Sequence, residues 1–413
     1  MCTANSITET DDNNAVDATE LLIEDKVTPI HTIVTHFEPH AEEFGGYYLL
    51  KTQPEAEEKY PGISKAKLEF WGLGSRTPDG KSAATWKQNG YYLLGVGGGD
   101  SDEHAANGRD RKQGASALSL VAEDLGLEHE PWLNRIVEIL TQEDLHAGSG
   151  ELSLMSLAKL MNLEHPDEPE IAMDWVIQGL GVKMRQQQHF HAGTRAEFLA
   201  KAQTQLLRVT DQKDPRKIAT INLVTIESDD DLIANFAICK LGGGAEMVAV
   251  RKSTGNVIIM TRKSRRIYLG DIIRVLRIRE MELAEIENPL SWRMLETTEG
   301  TVNVKGANRW CYFLEGRMIM NGSRTARDVE PTQLSLREII NIIKFCLDPE
   351  AFATDRPERT KHCLTRVCTS GNQKTCPWHD AGLNRCRKIR FEMHEWDEAS
   401  RWSRYYVSEA PRR

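Results

Sequence analysis

The 413-residue sequence predicts an α/β protein of two lobes: an N-terminal domain built on a mostly parallel sheet, a helical connector, a smaller α/β C-terminal domain and a Cys-rich tail. Three observations carry this expectation. Strand-like runs over residues 30–35, 67–71 and 91–96 alternate with helix-length amphipathic stretches, as in a parallel sheet under covering helices. The chain exceeds one ordinary hydrophobic core, so two or three domains are expected. Charge is segregated along it: residues 251–279 carry nine Arg and Lys against one acid, Asp271, while the N-terminal half holds most of the acid.

Residues 1–28 are polar, acidic and poor in aromatics, the composition of a disordered tail. The first domain, 29–150, has strand 30–35, helix 41–51, strands 67–71 and 91–96, and helices over 114–125 and 131–145. The last opens on Pro131, whose missing amide hydrogen costs nothing in a first turn. Residues 151–207 read as helical throughout, within a connector spanning 151–210. Leu152, Leu154, Leu157, Leu160 and Met161 form an apolar stripe there. A longer helix over 170–191 carries His189 and His191 on an exposed polar stretch. The second α/β domain, 211–350, has strands 218–226, 246–250 and 256–261 and a short helix at 230–237. A basic helix at 269–283 and an apolar-periodic helix at 334–346 complete it. Gly242, Gly243 and Gly244 before 246–250 suit a turn or a close approach to phosphate. The tail is 351–413.

Chemistry concentrates where strands end. The segment Thr35-His36-Phe37-Glu38-Pro39-His40-Ala41-Glu42-Glu43 follows the apolar run 30–34, and Gly97-Gly98-Gly99-Asp100-Ser101-Asp102-Glu103-His104 follows 91–94. A third cluster, Glu143-Asp144 before His146, ends the apolar-periodic stretch 132–140. Imidazole with carboxylate is the donor set of a borderline divalent ion, and ligands of open parallel sheets lie beyond the carboxyl ends of strands. Taken singly, each cluster equally describes a solvated face or a tight turn; together they describe one composite site. A dinucleotide reading of Gly95, Gly97 and Gly99 fails, because no Gly holds the needed third position and Asp100 would face a pyrophosphate.

Composition excludes other classes. No stretch approaches a membrane span and no apolar signal region opens the chain, so a soluble, cytoplasmic protein is expected, with a homo-oligomer left open. A net charge of −9 argues against a nucleic-acid coat protein but leaves room for a local basic groove. Within that groove Arg251, Lys252, Arg265 and Arg266 are the expected phosphate contacts, and a solvated basic face is the plainer alternative. Four cysteines, Cys363, Cys368, Cys376 and Cys386, cluster with His362 and His379 in the tail. They fit a structural Zn²⁺ site, unmetallated thiols or an iron–sulfur cluster, their spacings being unlike familiar zinc fingers. Cys2, Cys239, Cys311 and Cys346 are scattered and read as small apolar residues.

Set side by side, the clusters resemble the Myg branch of the DHH (Asp-His-His) phosphoesterase superfamily. The shared features are Thr35-His36, His40-Ala41-Glu42-Glu43, Val96-Gly97-Gly98, Asp102-Glu103-His104 and Asp144 before Gly148, over residues 30–148. The resemblance implies a two-lobed, Mn²⁺-dependent phosphoesterase, several such proteins being exonucleases, with an oligonucleotide or other nucleic acid as substrate in a cleft between lobes. It implies His36, His40, Glu42, Asp102, His104 and Asp144 as metal ligands, with Asp79 standing for an Asp that the superfamily places after its second strand. Asp102, Glu103 and His104 would be catalytic. The sequence departs from the pattern in three places. His36 and His40 are one residue closer, Glu42 replaces an Asp, and Glu103 replaces the middle His that usually meets the scissile phosphate. A catalytically altered nucleic-acid-binding or effector module is therefore the second reading.

Overall fold

The computed structural model describes residues 28–72, 77–104, 114–146, 150–210, 218–265, 267–297, 302–313, 315, 317–322, 326–348 and 383. The expected tail at 1–28, apart from its last residue, and the cysteines Cys363, Cys368, Cys376 and Cys386 lie outside them, as does Arg266. The chain divides into two units at Gln187 and Gln188.

In the first unit the described elements run β1 (Thr32–His36), α1 (Ala41–Thr52), α2 (Pro54–Lys59), β2 (Lys67–Trp71), α3 (Ala83–Gln88), β3 (Tyr91–Leu93), α4 (Ala117–Asp124), α5 (Pro131–Leu145), α6 (Leu154–Glu164) and α7 (Pro169–His189). The sheet has order β2-β1-β3 and is wholly parallel. All five residues of β1 are buried, as a central parallel strand requires. Alternation then splits its side chains. Ile33 joins a core of Phe44, Leu49, Leu118, Val121 and Leu133 from α1, α4 and α5. Val34 joins Leu93 and Val96 on the other face, beneath half-buried Trp71, Trp86 and Tyr91.

Helices α6 and α7 also belong to the first core, through Ala158, Ala172, Met173, Val176 and Leu180. Of the expected stripe Leu152, Leu154, Leu157, Leu160 and Met161, Leu154 and Met161 pack against this core while Leu152 and Leu160 do not. Ser153 caps α6, accepting from the Ser156 amide at 3.2 Å, and the buried face is Met155, Ala158 and Asn162. Leu152 is left 85% exposed and Leu160 57%, outside the core.

The second unit continues from a π-wound turn at Phe190–Thr194 into α8 (Arg195–Lys201), β4 (Gln203–Thr210), β5 (Ile218–Glu227), α9 (Ile233–Ile238), β6 (Met247–Arg251), β7 (Val257–Thr261), α10 (Gly270–Leu283), α11 (Trp292–Leu295), β8 (Cys311–Phe313), β9 (Met318–Met320) and α12 (Leu336–Leu347). Its sheet has six strands, against three in the first unit, in the order β4-β5-β6-β7-β9-β8. Only the β5–β6 pair is parallel. One face packs on α10 and α12 through Leu223, Met247, Ile259, Ile272, Leu276 and Ile343, and the other on α9 through Val224, Val248, Ile233 and Phe236. β4 replaces the end of the stretch read as wholly helical. Its backbone finds antiparallel partners along β5 from Gln203 to Thr210, a long-range gain that local propensity does not register. Among the described residues no helix is long and apolar enough to cross a membrane.

The helix read as basic, α10, is mostly buried. Arg274 and Arg277 are 1% and 0% exposed, so their charges serve the core rather than a surface. Arg277 donates to the carbonyls of Leu295 (2.9 Å), Thr297 (3.2 Å) and Trp310 (2.9 Å), and burial among neutral acceptors lowers its pKa to about 10. Buried Glu280 accepts from Arg309 Nη1 at 2.8 Å and from the Thr332 hydroxyl. Breaking such a buried pair strands a charge. Glu280→Ala is expected to cost about 3–5 kcal/mol of stability in urea unfolding. Removing the exposed partner of Arg279, by Glu282→Ala, should cost less than about 1 kcal/mol.

Candidate metal centre

Three chain segments meet at the carboxyl end of β1. The strand ends on His36, and α1 starts five residues on, with Glu42 and Glu43 in its first turn, where the helix N-terminus favours negative charge. After β3, Leu94 bridges to Ser101 across a turn in which Gly97 and Gly98 hold φ of 71° and 70°, a left-handed conformation open to Gly. Asp102 closes that turn. Its oxygens accept from the Gly98 amide at 2.8 Å and the His104 amide at 2.9 Å, with His104 Nδ1 3.2 Å away. The last turn of α5 brings Asp144.

Ligand atoms of Glu42, Glu103 and Asp144 lie within 4.8 Å of one another, as do those of His40, Glu42 and Glu43, and those of Asp102, Glu103 and His104. Glu42 and Glu103 each belong to two of these sets, so the three sequence clusters come together. His40 Nδ1 lies 3.6 Å from Asp144 Oδ1, and its ring packs edge-on to His36 at 5.6 Å. His36 enters none of the three-residue sets; its Nε2 sits 2.5 Å from Glu43 Oε1. Glu43 is the member that sequence reasoning left out of the site, although its place three residues beyond His40, the third of α1, is a helix-capping signal. Asp79 stands apart, its carboxylate taken by Lys81, by the Lys81 amide and by Trp86 Nε1 at 3.1 Å.

The electrostatics are those of crowded acids. Burial, then the charges of Glu43, Glu103 and Asp144, push the Glu42 carboxyl well above the usual carboxylate range. Burial likewise raises Glu103, with Glu43 and Asp102 adding to it. Burial opposes ionisation of Glu43 too, but His36 and His40 outweigh it and hold that carboxyl low. The same pairing raises His36 against its own burial. His36 Nδ1 and Glu42 Oε1 are buried with no hydrogen-bond partner among the described residues. Imidazole nitrogen and carboxylate oxygen, left unsatisfied where negative charge accumulates, fit a borderline divalent cation such as Mn²⁺ or Zn²⁺.

The residues expected to touch phosphate sit in the second unit. Arg251 donates to the Leu334 carbonyl at 2.9 Å, Lys252 pairs with Asp231, and Arg265 lies 2.8 Å from Glu246. His189, on the stretch expected to be exposed and polar, is paired with Asp230 at 3.1 Å. Cys239 and Cys311 are half-buried and Cys346 is buried.

No protein-family model and no curated protein matches the chain. Among solved structures, that of an uncharacterized protein from Helicobacter pylori G27 is similar over 76% of this chain and 98% of that one, at 11% identity and a TM-score of 0.18. A similarity at that score carries no argument.

Two outcomes follow from these electrostatics. Burial and like charges hold the Glu42 carboxyl high, so it costs stability as rising pH ionises it; Glu42→Gln should let the metal-free protein keep more of its thermal stability as pH rises. Glu246 is buried, which opposes ionisation, but the Asn222 amide and Arg265 outweigh this and lower its pKa. A carboxyl lowered on folding stabilises above its unfolded pKa and loses that contribution as pH falls through the folded one. Glu246→Gln should therefore flatten the fall in urea stability on acidification below about pH 4.5.

Proposed function

We propose that the chain is a metal-dependent phosphoesterase that hydrolyses phosphodiester bonds, with an oligonucleotide or single-stranded nucleic acid as substrate and exonucleolytic action. One observation carries the reading: Glu42, Glu103 and Asp144, from three separate segments, crowd their oxygens within 4.8 Å in a buried setting that favours a cation. His36, His40, Glu42, Asp102, His104 and Asp144 are the proposed ligands of Mn²⁺ or another divalent ion. Such an ion lowers the pKa of water and stabilises charge on the attacking and leaving oxygens of a phosphodiester.

The protein's own residues do the rest. Asp102 holds the glycine turn closed and keeps His104 at the mouth, where its side chain is 60% exposed and able to meet substrate. Glu103 lies behind it, buried. Phe37 follows His36, is 51% exposed and stacks on Phe70 with ring planes 26° apart. An open aromatic face beside the centre supports a base-bearing substrate, because every nucleobase has a π-face to stack. Arg251, Lys252, Arg265 and Arg266 remain the proposed polyanion contacts, of which Arg251, Lys252 and Arg265 would exchange a present partner for phosphate. The second reading, a nucleic-acid-binding module without turnover, is favoured by Glu103 standing where the resembling family has its middle His.

Hydrolysis of a short single-stranded oligonucleotide should require Mn²⁺ and stop with chelator. His36→Ala and Asp102→Ala should each abolish it while circular dichroism stays native. Salt-dependent binding that persists with no Mn²⁺-dependent cleavage would select the second reading. Separately, replacing Arg265 and Arg266 by Ala should reduce the log–log salt slope of binding by about one to two and raise KM more than it lowers kcat.

A further inference from the structure

We propose that Glu43 is a positioning residue of this centre: it holds the His36 ring so that Nδ1, and not Nε2, is the nitrogen offered to the cation. The inference rests on the metal reading above and adds which residue orients the ligand and by which atom that ligand binds.

Both oxygens of Glu43 are already committed. Oε1 lies 2.5 Å from His36 Nε2, and Oε2 accepts from the His40 amide at 2.5 Å. The second contact is the reach-back half of a capping box, and it would account for a Glu at this position by itself. It leaves the first contact unexplained. A cap needs one oxygen, yet the other is spent on a buried imidazole at the end of the neighbouring strand. Imidazole has two nitrogens, and the one not held by Glu43 is Nδ1, buried and without a hydrogen-bond partner among the described residues. A carboxylate on one ring nitrogen with the other left open is how metal-binding histidines are commonly oriented. Glu42 is the complementary case. Its Oε2 takes the Leu118 amide at 3.3 Å and its Oε1 has no hydrogen-bond partner among the described residues, as befits a ligand rather than a holder.

The turn after β3 is shaped around the same carboxylate. A Cβ at Gly95 would lie 2.8 Å from Glu43 Oε1 and 3.0 Å from its Cγ. Glycine at 95 therefore admits the Glu43 side chain to the His36 ring. β1, α1 and the turn after β3 are tied through one carboxyl group.

The test uses the full chain and two probes, Mn²⁺ and Zn²⁺. Titration followed by the electron paramagnetic resonance of free Mn²⁺ should show Glu43→Ala weakening Mn²⁺ binding by about 10- to 100-fold. Glu43→Gln, which keeps an acceptor for His36 but no anionic ligand, should recover most of that loss. Nitrogen NMR of labelled histidines in the wild-type protein needs no variant: Zn²⁺ should shift His36 Nδ1 and leave Nε2 in its hydrogen bond. A Zn²⁺ shift at Nε2, unchanged binding in Glu43→Ala, or a Gln variant as weak as Ala would overturn the assignment and leave the metal centre standing. If the wild-type protein takes up neither ion, the metal reading falls and this inference with it.

Discussion

Like charges removed from water set the terms for the first unit. Two carboxylates about 4 Å apart repel by roughly 4 kcal/mol at the effective dielectric of a protein site, and burial adds its own penalty. Glu42 is wholly buried with Glu43, Glu103 and Asp144 around it. A sheet that delivers acids to this one place needs compensation. The visible part comes from the N-terminus of α1, from the amides that Asp102 gathers and from the histidines on Glu43. Under the proposed function, a bound cation would provide the remainder. Fold and site are coupled here: the parallel register that puts β1 between β2 and β3 also sends its end into the cluster.

The second unit meets the opposite problem with different means. Its buried cations are neutralised locally, Arg309 by Glu280 and Glu330, and Arg274 by Asp271 and Glu296. Arg277 has neutral carbonyl acceptors instead. A guanidinium presents five donors in a fixed fork, so it can pin several chain segments at once. The basic run along residues 251–279 thus includes arginines that join α10 to the chain beyond it.

Legibility in the sequence followed the length scale of each interaction. β1 and β3 were readable because a buried run and its polar end lie within ten residues, and the polar clusters were readable for the same reason. β4 was not, since its stability depends on β5, a partner that local pattern cannot reveal. The phase of α6 depended on Ser153 as its cap, a signal weaker to the eye than five Leu and Met residues nearby. Arg274 and Arg277 were misleading because charge composition says nothing about which way a side chain points. Glu43 carried its signal in plain view, but a capping Glu and a histidine holder look alike until the strand end is placed beside the helix.

The graded exposure of the centre has a kinetic meaning. From outside inward, the side chains of His104, His40 and Asp144 are 60%, 33% and 9% exposed, and Glu42 is sealed. An arriving ion would meet exposed, water-washed donors first and exchange hydration for protein ligands one step at a time. Leaving would require the reverse sequence, beginning from the most enclosed oxygen. If it takes the proposed ion, such a site would fill and empty slowly compared with an exposed acidic face. Brief swings in free ion concentration would then pass without changing what the protein holds.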